Sequence, residues 1–332
     1  MKRLKSTLVW AGSMAFAGCL VFGLAGPAVA QVVAKVGAAY GDENHPQIKM
    51  LLRWAQLVKE RTDGEVDIQI FPGGQLGGEV EMAEGLRLGS LQGALVAIDA
   101  LSGWVPQGGV FSMPFIFRDD DHALAVYNGS VADQIAAYYP AQGFDLLGFW
   151  LAGKRNPMGK IQIETPDDVA GKTLRVVQSP LHIDVWKAVG ANPTPIPFPE
   201  VPNAVQSGTI DFFDGVGSTY FNSKFYEFAP FYSDLGHIYA IMTLVVGDSW
   251  WQGLTTGQQG AIQSSFRELA PVNHHLITYE NVAGADKAAA AGATVTIVRD
   301  KAPWQAAMKP VWDKWADETT DGRKLIEAIV AQ

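Results

Sequence analysis

The sequence predicts an α/β protein of two lobes, each built on a mostly parallel sheet, linked by a hinge and followed by long C-terminal helices. Three observations carry this. The chain of 332 residues, 48% hydrophobic and 18% charged, is long enough for two cores and too apolar to stay disordered. Short apolar runs alternate with segments of helical spacing over residues 32–98 and again over 173–213, an order that calls for right-handed crossovers and parallel strands. After residue 246 the alternation gives way to helix formers.

Taken in order, Val32 to Ala38 reads as a strand closed by Gly37, Tyr40 and Gly41. His45 to Arg61 carries Ile48, Leu51, Leu52, Ala55 and Val58 at helical spacing, with Pro46 in its first turn. Val66 to Phe71 alternates as a strand before the turn PGGQLGG, Glu79 to Leu88 is a helix, and Leu91 to Ile98 is an apolar strand. The acidic end of MPFIFRDDD caps a helix near His122, a second helical segment covers Ser130 to Tyr139, and Phe144 to Leu151 is a strand. Ala152-Gly153-Lys154 then reads as a crossing into a second unit. That unit takes Thr173–Val177, Thr194–Ile196 and Ile210–Phe213 as strands, with helices over Pro180–Val189 and Pro199–Gln206. Ile238 to Val246 is a long apolar strand returning to the first unit. Thr255 to Ala291 is helical with an interruption at Pro271, Ala293 to Val298 an edge strand, and Pro303 to Ala331 helical with Trp304, Met308, Val311, Trp312 and Trp315 on one face.

Residues 1–30 have the form of an export signal: Lys2, Arg3 and Lys5, an apolar run from Leu8 to Leu24, then Ala28-Val29-Ala30 before Gln31. A retained membrane anchor and lipoprotein processing at Cys19 are the alternatives; the glycines in the run and its apolar continuation past Cys19 favour cleavage. Loss of the three basic residues takes the net charge from −9 to −12 and removes the single cysteine. An acidic, cysteine-free exported chain suits a bacterial periplasm and argues against nucleic acid as a partner. The expected division is 1–30 signal, 31–152 first lobe, 153–237 second lobe, and 238–332 return strand and C-terminal helices.

The chemistry centres on Pro166 to Pro180, PDDVAGKTLRVVQSP, which sets Arg175 inside an apolar strand. A cation there needs either an internal Asp or Glu or an anionic ligand. No complete catalytic set accompanies it. Gly171-Lys172-Thr173 has Pro166 where a phosphate loop needs glycine, Gly215-Val216-Gly217-Ser218 lacks the frame of a nucleophile elbow, and His274-His275 are adjacent rather than one turn apart. No cofactor or metal is expected.

Seven segments carry a resemblance: IFPGGQLGGE at 70–79, LRLGSLQGA at 86–94, MPFIF at 113–117, TPDDVAGKTLRV at 165–176, GANPTPIPFPEV at 190–201, VQSGTIDFFDG at 205–215 and SKFYEF at 223–228. In this order and spacing the chain resembles the periplasmic substrate-binding proteins of tripartite ATP-independent periplasmic (TRAP) transporters, the DctP-like family. The resemblance implies the two-lobed periplasmic binding protein fold, an organic acid anion held between the lobes, and delivery to small and large permease subunits in the membrane. An ABC-type receptor for a carboxylate is the nearest alternative; a periplasmic hydrolase and a sensory module stand further off.

Residue by residue, the resemblance makes Arg175 the carboxylate contact, a role a planar guanidinium fork suits better than lysine. Arg155 falls where the family often places a second contact, with a solvated loop arginine as its plainer reading. Gly215 replaces an amide common in the family, Asp214 keeps the acidic position next to it, where it faces the cleft, orients Arg155 or binds a cation, and Phe198 matches a residue that packs on the ligand. In the first lobe Ala39 and Ala97 stand where members with polyhydroxylated ligands carry polar groups, while Glu79 remains acidic. Trp104, Phe115, Phe213 and Tyr220 are candidate aromatic walls, or simply core. These departures point to one carboxylate on a remainder less polar or bulkier than a sugar acid.

Overall fold

The computed structural model describes residues 31–41 and 43–332. The reading of residues 1–30 as a signal, Cys19 included, lies outside the described residues.

The first half of the molecule is laid down by β1 (Val32–Ala38), α1 (Pro46–Arg61), β2 (Val66–Phe71), α2 (Glu79–Arg87) and β3 (Gly93–Ala97). β1 pairs parallel with β2 from Val32↔Val66 to Gly37↔Phe71, and with β3 from Val36↔Gly93. Pro46 occupies the first turn of α1, where an N–H has no helical partner to lose, and the His45 ring accepts from the Gln47 N–H at 3.3 Å. The buried stripe of α1 includes Ile48, Leu51, Trp54 and Val58, and Trp54 donates its indole N–H to the Ile262 carbonyl at 3.1 Å. α3 (Asp120–Tyr127) begins where the acidic run predicts, with the Asp119 carboxylate accepting from the His122 N–H at 2.8 Å. α4 (Ser130–Ala136) follows.

β4 (Phe144–Gly159) is one strand of 16 residues, so the expected crossing at 152–154 lies inside it. The chain bends there instead of ending. Its register against the returning strand shifts between Leu151 and Gly153, and Gly153 sits at φ +126, where a Cβ would fall 2.2 Å from the Asn281 amide.

The second half contains β5 (Thr173–Val176), α5 (Pro180–Ala188), β6 (Asn192–Pro195), α6 (Val201–Gln206), β7 (Phe212–Gly215), α7 (Gly217–Asn222) and β8 (Phe231–Asp234). The sequence reading missed α7 and β8, both short. β9 (Ile238–Gly247) returns as predicted and is buried along its whole length. The order along the sheet is β2-β1-β3-β9-β4-β7-β5-β6, with β8 also on β4. The outer strands are parallel within each half. β9 runs antiparallel to β3 and β4, and β4 antiparallel to β7 and β8, so the two long strands that pass between the halves oppose their neighbours.

After α8 (Asp248–Gln252), α9 (Thr256–Ala290) is a single helix of 35 residues that continues through Pro271, where the sequence predicts an interruption. Tertiary ties on both sides of the proline outweigh the lost hydrogen bond. Arg61 pairs with Glu268, Asn273 donates to the Leu151 carbonyl at 2.9 Å, and Asn281 to the Ala152 carbonyl at 2.9 Å. β10 (Thr294–Ile297) pairs parallel with β8. α10 (Ala302–Glu318) and α11 (Gly322–Ala331) close the chain. The indole N–H groups of α10 reach both halves: Trp312 donates to the Pro114 carbonyl at 3.0 Å, Trp304 to the Glu164 carbonyl at 3.1 Å. Among the described residues no helix is long and apolar enough to cross a membrane.

The seam between α9 and β4 is anchored by Trp150, stacked on Phe266 with ring centroids 4.2 Å apart and both rings buried. Replacing Phe266 with Ala is expected to cost about 3–5 kcal/mol through lost burial and the cavity left behind. The check is the urea midpoint followed by circular dichroism.

Candidate functional site

Buried charge is concentrated in one place. Among the described residues the buried Asp, Glu, Lys and Arg side chains are Glu79, Asp99, Arg155, Arg175 and Asp214, and all belong to a single cluster at the strand ends where the two halves meet. Such groups persist in a core only when charges and hydrogen bonds offset the loss of water. The cluster borders a cavity of about 50 Å³. Tyr40 after β1, Ala97 at the end of β3, Arg175 and Val177 around the end of β5, and Gly215 and Val216 at the end of β7 form its sides. Ala152, Arg155, Ala240 and Met242 of the two crossing strands form another wall. This is the carboxyl-end crevice in which open α/β sheets hold ligands.

The two arginines divide the work differently from what their surroundings in the sequence imply. Arg155 is no solvated loop residue: it is buried, and its Nε and Nη2 grip the Asp214 carboxylate at 3.0 and 2.7 Å, with Nη2 also donating to the Asp214 carbonyl at 3.0 Å. Arg175, in the apolar strand, has no Asp or Glu partner among the described residues. Its Nε donates to the Ile196 carbonyl at 2.8 Å, and its guanidinium lies 5.7 Å from the centre of the Phe198 ring. Burial and the neighbouring Arg155 push Arg175 down to about 10, so it stays charged at neutral pH.

Asp214 is the hub. Besides Arg155 it meets His237 Nε2 at 3.1 Å and lies 3.9 Å from His182 Nδ1. Burial raises its carboxyl, but Arg155 and His237 outweigh burial and hold it well below the usual carboxylate range. Asp99 lies 3.2 Å from His182 Nε2, an approach off the hydrogen-bond axis; burial raises it too, and His182 with Arg155 brings it below its ordinary value. Glu79 accepts the Ala97 N–H on Oε1 at 2.6 Å and, among the described residues, makes no second hydrogen bond. Burial lifts it above the ordinary glutamate value, only partly offset by Ala97 and the two arginines.

Of the residues expected from sequence, Arg175, Arg155, Gly215, Asp214, Phe198, Glu79 and Ala97 border the cavity. Two do not. Ala39 is packed in the core just past the end of β1, and the next residue, Tyr40, borders the cavity. Phe213 packs on Phe225 at 4.8 Å in a separate apolar cluster. Trp104 against Phe144, Tyr220 donating to the Ala229 carbonyl, and Phe115 near Trp312 are likewise away from it. A Cβ at Gly215 would meet nothing nearer than Met158 at 3.5 Å, so the missing side chain does leave space.

The sequence reading missed Tyr40, Gln47, Thr219 and Met242, which also line the cavity, and Asp99, His182 and His237 behind it. Nothing local marks the three, since each becomes polar company for the others only when distant strands meet. At the rim the halves touch closely. Gly74 is at φ +75 and a Cβ there would fall 2.5 Å from Pro199; at Gly78 it would fall 3.1 Å from Pro197. His45 Nε2 lies 3.2 Å from Thr219 Oγ1, and Tyr40 meets Phe198 edge-on at 5.5 Å. No group of metal-ligating side chains occurs among the described residues.

Residues 37–319 match the family described as bacterial extracellular solute-binding protein, family 7, also called DctP. The chain belongs to this family. The 2,3-diketo-L-gulonate-binding periplasmic protein YiaO of Escherichia coli is 29% identical over 279 residues, 83% of this chain and 85% of that one. A TRAP periplasmic solute-binding protein of Roseobacter denitrificans, solved with β-D-glucuronate, is 30% identical with a TM-score of 0.86, covering 90% of this chain and 99% of that one. One from Desulfovibrio salexigens with orotic acid is 27% identical, also at 0.86, covering 90% and 97%. The family assignment favours the TRAP-type reading over the ABC-type one.

Asp214→Asn breaks the bidentate pair and leaves Arg155 without its counter-charge, which is expected to cost about 3–5 kcal/mol of stability. Because the native carboxyl is depressed, its contribution is present above the unfolded value and lost as pH falls through the native one. The gap between wild type and variant in chemical denaturation should therefore narrow below about pH 4.

Proposed function

We propose that the protein is the extracytoplasmic receptor of a TRAP transporter, holding one small organic acid anion in this cavity and passing it to the small and large permease subunits. The observation that carries the reading is Arg175, a buried guanidinium beside a cavity with no acidic partner among the described residues. Among the described residues its Nη atoms have no hydrogen-bond partner, and a planar carboxylate fits them as a bidentate acceptor. Arg155, fixed by Asp214, keeps Nη1 for a second contact. The protein acts as a receptor and not as an enzyme, in keeping with membership of a solute-binding family.

In this reading residues 31–152 and 153–237 are the lobes, 238–332 return and brace them, and β4 and β9 form the hinge, with the bulge at Gly153 as the compliant point. An anion that touches both lobes favours the closed arrangement by its differential contacts. Residues 1–30 direct export to the periplasm and are removed.

The relatives' ligands include a sugar acid and an aromatic acid. Here Ala97, Ala152, Val177, Val216, Ala240 and Met242 present carbon to the ligand, which supports a less polar remainder. The volume of about 50 Å³ favours a compact ligand over a bulky one. Glu79 offers one oxygen opposite the arginines, a place for a hydroxyl on that remainder.

A thermal-shift panel of 3-hydroxybutyrate, D-erythronate, D-glucuronate and benzoate tests the size: the two short acids should give the larger shifts, and a larger shift with glucuronate sinks the compact-ligand reading. Arg175→Ala should weaken the short acids by roughly thirty- to several-thousand-fold, the equivalent of about 2–5 kcal/mol for an unpaired buried charge. Unchanged affinity in calorimetry, with a native circular dichroism spectrum, sinks the carboxylate clamp.

A further inference from the structure

The polar atoms around the cavity fall into two sets. On one side stand donors: the Nη atoms of Arg175 in β5 and Nη1 of Arg155 in β4, none with a hydrogen-bond partner among the described residues. On the other stand acceptors, all carried by the first half of the molecule. Glu79, in the first turn of α2, has given Oε1 to the Ala97 N–H at 2.6 Å and keeps Oε2. Gln47, in the first turn of α1, is buried with its Nε2 turned to the Leu151 carbonyl at 3.5 Å, which leaves Oε1. Tyr40, just past β1, donates its hydroxyl hydrogen to Met242 Sδ at 2.5 Å and keeps the lone pairs of its oxygen. Among the described residues no lysine borders the cavity to serve this side.

A carboxylate satisfies the donors and leaves the acceptors as they are. An acceptor kept from water without a donor is costly, and three of them ask for more than the single hydrogen a hydroxyl can offer. An ammonium has three N–H groups and no lone pair, which matches the set in number and in kind.

Charge points the same way. Two guanidinium groups, Arg155 and Arg175, share the buried cluster with three carboxyls, Glu79, Asp99 and Asp214, and Arg155 and Asp214 are committed to each other. A ligand that brings only a carboxylate adds to the acidic side. One that brings a carboxylate and an ammonium leaves the balance where it was. Glu79 is where positive charge is short: burial raises its carboxyl, and the Ala97 N–H and the two arginines bring it only part of the way back. Between the two sets the walls are carbon, from Ala97, Ala152, Val216 and Met242, and the volume of about 50 Å³ suits a short chain.

We propose that the ligand is a small amino acid bound as its zwitterion: the carboxylate on Arg175 and Arg155, the ammonium on Glu79 with Gln47 and Tyr40, and a short carbon chain between them. This rests on the receptor reading above and narrows it to organic acids that carry their own counter-charge. Binding makes and breaks no covalent bond. The acceptors precede the bend at Gly153 and the donors follow it, so the ammonium belongs to one half and the carboxylate to the other. Neither end alone draws the halves together; a molecule with opposite charges at its ends draws both.

The test is calorimetry of butyrate, 3-hydroxybutyrate and 3-aminobutyrate at pH 7, three acids of one carbon skeleton that differ in bearing a hydrogen, a hydroxyl or an ammonium at the same carbon. 3-Aminobutyrate should bind at least about tenfold tighter than 3-hydroxybutyrate, as a charge-assisted contact out of water implies. Glu79→Gln removes the charge at nearly unchanged shape. It should weaken 3-aminobutyrate by about tenfold or more and strengthen butyrate, which no longer meets a second carboxylate. Damage to the fold would weaken both, so the opposite signs separate the two causes. Binding of 3-hydroxybutyrate as tight as that of 3-aminobutyrate, or tighter, overturns the zwitterion and leaves the receptor reading intact. An equal loss of all three acids in Glu79→Gln overturns the placing of the ammonium. No heat with any of the three, and no thermal shift across the panel, overturns the receptor reading and the zwitterion with it.

Discussion

The bidentate pair between Arg155 and Asp214 is the interaction on which the rest of the site depends. It joins β4, which crosses between the halves, to β7, which belongs to one of them, at positions two residues apart in the antiparallel register. Breaking it would strand a cation at the bend of the molecule. Both partners are buried: Trp186 covers His237, the apolar strand β9 runs alongside, and α9 lies over the back of β4. Arg175 is left as the group that still wants a partner.

That division reverses the first expectation from the sequence. An arginine inside TLRV suggests an internal counter-ion, and one in GKRNP suggests solvent. The structure gives the counter-ion to the second and withholds it from the first. The reason is topological. β5 lies between β6 and β7, whose facing residues at Arg175 are Thr194 and Phe213, neither of them acidic, whereas Arg155 is within reach of the end of β7.

Much of the fold was legible because each half repeats a strong local code: apolar runs of strand length, helices with proline at the first turn, and glycine-rich turns. The failures have physical causes. β4 reads as ending at Leu151 because Gly153 looks like punctuation, yet pairing with β9 carries the strand through it. Pro271 reads as a break, but α9 is held from both sides by side chains contacting β4 and α1. In the site, Ala39 packs in the core while its neighbour Tyr40 borders the cavity, because the chain bends just past the end of β1. Asp99, His182 and His237 were illegible for a deeper reason: each is an ordinary polar residue in its own segment, and only the folded sheet turns the three into a cluster with Asp214.

The rim contacts carry a consequence for selectivity. Gly74 and Gly78 bring bare backbone against Pro199 and Pro197, with the Glu81 carboxylate lying against Gly78 beside them. A lip made of flexible lysines or glutamines would let an over-long guest protrude and be tolerated at some graded loss. Lips of glycine and proline behave more like a mould with a fixed parting line. On the receptor reading, a guest one carbon too long would keep the parts from meeting, and discrimination by length would become a step where it would otherwise have been a slope.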